Sequence, residues 1–221
     1  MDFDFDLIDT EDYERIRELH EPLAHAVRRL IDASIHTGAD ADAEDIRRAR
    51  EAIDDVSRML EATRSGRPRT VRRAETGAPV AWANPAVGRH NPIAPVITTH
   101  HEGDRLASEF TLGPVYEGPP GLVHGGICAL LLDQLLGEVA TDQMSLPKFT
   151  GTISLRYLRG TPLGPLRAEA WVERTEGHKT YARGFLADAQ GPTVEAEGVF
   201  IMPAWARDGG GERSDSGVAA G

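Results

Sequence analysis

Apolar residues recur at helical spacing from about Glu11 to His36, at Ile16, Leu19, Leu23, Val27, Leu30, Ile31 and Ile35. Asp9 or Thr10 is placed to cap the start of this helix and Gly38 to stop it. A second amphipathic stretch runs from Asp42 to about Arg64, with Ile46, Ile53, Val56, Met59 and Leu60 on one face. Together they predict an αα-hairpin turning around His36–Asp40. Two such faces cannot satisfy each other fully, so the hairpin is expected to pack on the rest of the chain or on a second copy. Periodicity then lapses. Gly66, Pro68, Gly77, Pro79, Pro85, Gly88, Pro92 and Pro95 punctuate a linker or crossing segment over residues 66–95, whose cluster Arg67, Arg69, Arg72 and Arg73 reads as a solvated face.

From Val96 the period changes to two. Val96–Glu102 and Arg105–Leu112 flank the turn Gly103-Asp104, and further strands are expected at Thr150–Leu158, Leu166–Glu176, Lys179–Asp188 and Thr193–Met202. Ala168, Ala170 and Val172 alternate with Arg167, Glu169, Trp171 and Glu173, which assigns one face to a core and the other to water. Gly177-His178 and Ala189-Gln190-Gly191 are hairpin connections. Between these strands lies one nearly all-apolar helix, about Gly126–Asp142. A helix followed by a four-strand meander predicts an α+β domain over residues 96–204, with an antiparallel sheet curled around the helix. Residues 1–65 form the helical hairpin, and the Gly-, Ser-, Asp- and Arg-rich tail 205–221 is expected to be disordered.

A chain of 221 residues accommodates one ordinary domain and an appendage. Its net charge of −11 is concentrated in residues 1–65, which hold 18 acidic against 9 basic side chains, while residues 66–204 hold 14 against 13. That distribution argues against general nucleic-acid binding. No apolar run reaches the roughly 18 residues of a membrane span. The acidic start MDFDFDLID is unlike a signal peptide, and Cys128 is the only cysteine. A cytoplasmic location is the resulting expectation.

Candidate chemistry centres on Gly118–Gly126, a Gly- and Pro-rich loop that leads into the apolar helix. The first N–H groups of a helix lack intrahelical partners and stabilise oxygen anions. Asp133 sits within the helix on a row with Gly126, Ala129, Gly137 and Ala140, a shallow groove of small residues holding a carboxylate. Two readings stand side by side: a base in a low-dielectric groove, or an extension of the polar row Gln134, Glu138 and Thr141. His124 could donate to a carbonyl, position the loop or act as a base. Cys128 has no activating neighbour and reads as a packed thiol. His100 and His101 point to opposite faces of a strand and make no metal pair. Asp2, Asp4 and Asp6 lack the glycine and glutamate of a calcium loop. No phosphate loop, G-x-S-x-G elbow or zinc spacing occurs.

The segment GPPGLVHGGICALLLDQLLG resembles the active-site segment of hotdog-fold acyl-CoA thioesterases of the phenylacetate-pathway (PaaI-like) type, in particular a branch with a GPPG turn before HGG and an aspartate nine residues after the histidine. TGTISLRYLRGTPLG is similar to that family's next strand, and GHKTYARG to its coenzyme A-contacting hairpin; the likeness covers about residues 90–203. It implies a long helix wrapped by an antiparallel sheet, a homodimer or dimer of dimers joined edge to edge, and active sites at the dimer interface. It further implies hydrolysis of acyl-CoA to free acid and coenzyme A without metal or retained cofactor. Asp133 would be base or nucleophile, the N–H groups of Gly125 and Gly126 beside His124 the oxyanion donors, and Thr150 the partner of the carboxylate or water. Lys179, with Arg156 and Gly118, would contact coenzyme A. Some relatives carry an asparagine six residues before the histidine; here that position is Gly118. Residues 1–75 lie outside the resemblance. A hotdog hydratase pairs a histidine and an acid across its tunnel, whereas this acid shares the helix with HGG. A non-catalytic acyl-CoA-binding module is the remaining alternative.

Overall fold

The computed structural model describes residues 6–64, 66, 70–141 and 147–207. Asp2, Asp4, Arg67, Pro68, Arg69, Asp142 and the tail from residue 208 onward lie outside them. The described chain separates into an N-terminal unit, residues 6–75 with 80–96, and a C-terminal unit, residues 76–79 with 97–207.

The N-terminal unit comprises β1 (Leu7–Ile8), α1 (Thr10–Ile35), α2 (Ala43–Glu61), β2 (Thr70–Arg73) and, from Val80 on, β3 (Pro79–Ala81), the strands forming a small sheet in the order β1-β2-β3. Asp9 is the N-cap of α1, its carboxylate accepting the Asp12 N–H at 2.8 Å, and Asp42 caps α2 in the same manner. The two helices expected in this segment both form and follow one another across residues 36–42. No residue of α2 is buried. One side of α1 is occupied by residues 80–96. Tyr13 stacks on Trp82 with centroids 5.4 Å apart, Trp82 on His90 at 4.1 Å and His90 on His20 at 4.9 Å, while the Arg73 guanidinium covers the Tyr13 ring. Arg28 donates to the carbonyls of Arg89 and Asn91. The stretch expected as a linker thus provides two strands and the surface on which α1 packs. Arg72 and Arg73 are half-buried there and not on a solvated face.

The C-terminal unit runs β4 (His100–Glu102), β5 (Arg105–Leu112), a single 3-10 turn at Pro114–Tyr116, α3 (Gly125–Ala140), β6 (Phe149–Tyr157), β7 (Gly164–Glu176), β8 (Lys179–Asp188), β9 (Gly191–Ile201) and α4 (Ala204–Arg207). β4 starts at His100, later than its pattern predicts, and Val96, at φ 55, stands outside the strand conformation. The six strands are antiparallel in the order β4-β5-β7-β8-β9-β6. Only β7–β9 form a meander; β6 pairs with β9 and not with β7, which corrects the four-strand meander. The connection after β6 finds its backbone partners in the glycine loop. Val123 donates to Thr161 and Leu163 to Gly121, at 2.8 and 3.0 Å.

One face of the sheet packs on α3. Ala168, Ala170, Ala182, Leu186, Val194, Ala196 and Phe200 bury against Leu131, Leu132, Leu135 and Leu136. Each buried leucine contributes roughly 1.5–3 kcal/mol of transfer free energy. The helix lies so close that a Cβ on Gly184 would fall 2.8 Å from Leu136 Cδ1 and 2.5 Å from the Glu169 carbonyl. β6 is the last strand, and its free edge carries exposed Phe149 and Tyr157.

Candidate active site

The glycine loop closes on itself before α3 begins. Gly118 donates to the Leu122 carbonyl at 2.9 Å, Gly121 to the Glu117 carboxylate at 2.6 Å, and His124 to the Tyr116 carbonyl at 2.8 Å. A Cβ on Gly118 would lie 2.8 Å from His124 Cα, so position 118 can present no side chain to a ligand. Its part is to let the loop approach His124.

His124 is the N-cap of α3. Its Nδ1 accepts the Gly126 N–H at 3.0 Å, which puts the ring proton on Nε2, and its carbonyl accepts from Ile127 at 2.9 Å. Of the two expected oxyanion donors, Gly126 is therefore already engaged. Among the described residues, the Gly125 N–H alone in that first turn has no acceptor. Tyr157 completes the junction: its hydroxyl donates to the Gly125 carbonyl at 2.9 Å, and burial pushes the phenol pKa up, keeping the proton in place. The Gly125–Gly126 peptide is thus held at both ends, by Tyr157 on its carbonyl and by His124 on its N–H.

Asp133 is half-buried, and its Oδ1 accepts from Thr150 Oγ1 at 2.9 Å. Strand alternation alone would send Thr150 to the opposite face from Ile153, Leu155 and Tyr157. A β-bulge between Thr150 and Thr152 reverses the parity, so Thr150 sits beside Phe200 on the helix side. The neighbouring polar row is not a solvated edge. Thr141 is buried and donates to the Gly137 carbonyl at 2.7 Å, and Glu138 accepts from Thr99. Asp133 differs from both in having its partner on the open edge strand.

The remaining candidates fall elsewhere. Lys179 and Arg156 point away from α3, on the outer face shared by Arg183 and Glu197, and Arg156 is paired with Glu195. Within one chain they are not brought to Asp133. Burial pushes the Cys128 thiol up in pKa, and its Sγ lies 3.7 Å from Thr161 Oγ1, as befits a packed thiol. His100 and His101 are both exposed, with His100 on Glu102 at 2.9 Å. Two residues of this region escape sequence reasoning. Tyr157 carries no motif, and Lys148, which donates to the Ala140 carbonyl and to Thr180 at 2.7 Å, meets the C-terminal end of α3 only through the fold.

A sheet of this order around a helix with this glycine turn has a solved counterpart. The thioesterase superfamily protein RHA08564 is 31% identical, and the match covers 82% of this chain and 89% of that one at a TM-score of 0.72. The chain belongs to the thioesterase superfamily. The superfamily's pattern matches residues 120–195, which in this thioesterase-superfamily chain run from the GPPG turn into β9, and the hotdog architecture is the one observed. Acyl-coenzyme A thioesterase THEM4 of Xenopus laevis is 33% identical over 78 residues, 35% of each protein. Acyl-coenzyme A thioesterase THEM5 of Mus musculus is 30% identical over 110 residues, 48% of this chain and 44% of the relative. The chain spans less than half the length of these curated relatives. Among the described residues no helix is long and apolar enough to cross a membrane.

Proposed function

We propose that this chain hydrolyses acyl-CoA thioesters to free acid and coenzyme A, in a site shared by two copies of the chain. The observation that carries the reading is a separation. Gly125 and Asp133 lie on one helix, eight residues apart, hence about 12 Å along its axis. One carbonyl cannot meet both. β6 passes beside both, with Thr150 at Asp133 and Tyr157 at Gly125. If two copies pair their free β6 edges antiparallel, the Thr150 end of one strand meets the Tyr157 end of the other. Asp133 of one copy then faces the Gly125 turn of the other.

In that arrangement the thioester oxygen accepts the Gly125 N–H at the positive end of α3, where developing negative charge is stabilised. Asp133 removes a proton from the attacking water, or itself attacks the carbonyl to form an anhydride that water then cleaves. Either way coenzyme A leaves as the thiolate. Thr150 orients the carboxylate, and Tyr157 with His124 keeps the Gly125 turn in register. Among the residues assigned to coenzyme A, Lys179 is the cation proposed for its phosphates, since Arg156 is already neutralised by Glu195. A histidine-based hydratase fits less well, because His124 Nδ1 serves as a helix cap.

Free-thiol release from a series of acyl-CoAs, measured for the wild type and Asp133→Asn, tests the reading. The expected loss in the variant is about 10²–10⁴-fold at unchanged melting temperature. Near-wild-type turnover by the folded variant would overturn the assignment. Acyl-CoA binding without turnover by the wild type would favour the non-catalytic module.

A further inference from the structure

α3 ends without a cation of its own. Its last turn holds no basic residue, although the final carbonyls of a helix lack intrahelical partners and gather negative charge. Thr141 answers three of them: its N–H reaches the Gly137 and Val139 carbonyls, and its hydroxyl those of Gly137 and Glu138. The Ala140 carbonyl takes Lys148, which donates to it at 2.7 Å and to the Thr180 hydroxyl at 2.7 Å. Lys148 is half-buried. Thr180 is fully buried, in the cross-strand row that runs through Phe200 to Thr150.

The residue just before β6 thus grips the end of α3, and Thr150, two residues on, grips its middle at Asp133. Asp133 and Ala140 lie about 10 Å apart along the helix axis, and the entry of β6 bridges that span. It is also the least supported part of the strand. Within one chain β6 pairs on one side only, with β9, and the bulge between Thr150 and Thr152 interrupts that ladder beside Thr150. A hydroxyl that orients a carboxylate must itself be held in place. We propose that Lys148 is the positioning residue that does so. By tying the start of β6 to Ala140 and Thr180, it keeps Thr150 on Asp133 and thereby sets the carboxylate. Lys148 acts through Thr150 and touches no reacting atom. The inference rests on the acyl-CoA reading of Asp133.

A double-mutant cycle on the full-length chain tests the link, with kcat and KM measured for Lys148→Met, Thr150→Val and the double variant. Lys148→Met keeps the aliphatic stem and removes the ammonium. It is expected to lower kcat about tenfold at little change in KM, as Thr150→Val does. In the Thr150→Val background it should cost less than about twofold more, because the hydroxyl it positions is already gone. Losses that multiply in the double variant would overturn the proposal, since Lys148 would then act on the site by another route. So would wild-type kcat in folded Lys148→Met at any melting temperature, which would leave the lysine a helix cap only. If Lys148→Met does not fold, Thr180→Val takes its place, removing one of the two acceptors and keeping the β-branched shape. Its expected effect is a fall in kcat of about threefold that vanishes in the Thr150→Val background, and an unchanged kcat would overturn the proposal. Turnover retained by Asp133→Asn, or absent in the wild type, is instead a failure of the acyl-CoA reading and removes the inference with it.

Discussion

α2 and α3 are helices of similar length and opposite design. α3 is apolar nearly all round and sheet-covered, and of its two carboxylates Asp133 has its partner on an edge strand. α2 is charged nearly all round, uncovered, and interrupted by an apolar stripe. In each the minority residues carry the message. A polar group in an apolar helix is retained against a desolvation cost, the condition that a working carboxylate also meets; apolar groups on a polar helix are retained against exposure to water and call for a surface to cover them.

The contrast can be broken by substitutions around Asp133. Thr150→Val removes the hydroxyl that holds Asp133 and keeps the β-branched shape of the strand. A lost hydrogen bond to a carboxylate at a partly open site corresponds to about a tenfold fall in kcat. Association should stay as in the wild type; a change in mass at full activity would place Thr150 in assembly and not in chemistry. Tyr157→Phe should act more mildly, lowering kcat about three- to fivefold with little change in KM, because the peptide it releases is still held by His124. A rise in KM alone would assign the hydroxyl to substrate binding.

The smallest effect separates the units by acid. Burial first, and then neighbouring His20, lowers the pKa of His90 from 6.5 to about 4. The unfolded chain therefore takes up this proton before the folded one. The stability involved is present above about pH 6.5 and declines as pH falls toward 4. In the C-terminal unit the Arg159 pair lowers Asp188 from 3.8 to about 2, so that contribution is lost only as pH falls from 3.8 toward 2. Single-tryptophan variants retaining Trp82 or Trp171 should report acid transitions in that order, the N-terminal unit first. Coincident transitions, or a Trp82 transition unmoved by His90→Phe, would count against this assignment.

Much of the C-terminal unit was legible because its signals are local. β5 and β8 have the boundaries their alternation predicts, and α3 begins within one residue of its expected start. The N-terminal unit was read less well. Trp82 and His90 hold residues 80–96 on α1 through ring stacking, which leaves no period in a chain dense with Pro and Gly. Both expected helices are present there, but amphipathic spacing shows that a face must be covered and does not name what covers it.

Asp133 on its small-residue row, the glycine turn before it, the strand alternation and the apolar face of α2 were all determined by the sequence, since each depends on side-chain type at fixed spacing along one element. The tertiary structure decided which of these groups meet. It carried β6 past β9 to an open edge, flipped Thr150 toward Asp133 through a bulge, and used His124 and Tyr157 to fix one glycine peptide while leaving the Gly125 N–H open. These outcomes rest on strand order and on hydrogen bonds between residues up to 32 positions apart. Such partners are chosen by the balance of the whole fold, which no local period encodes.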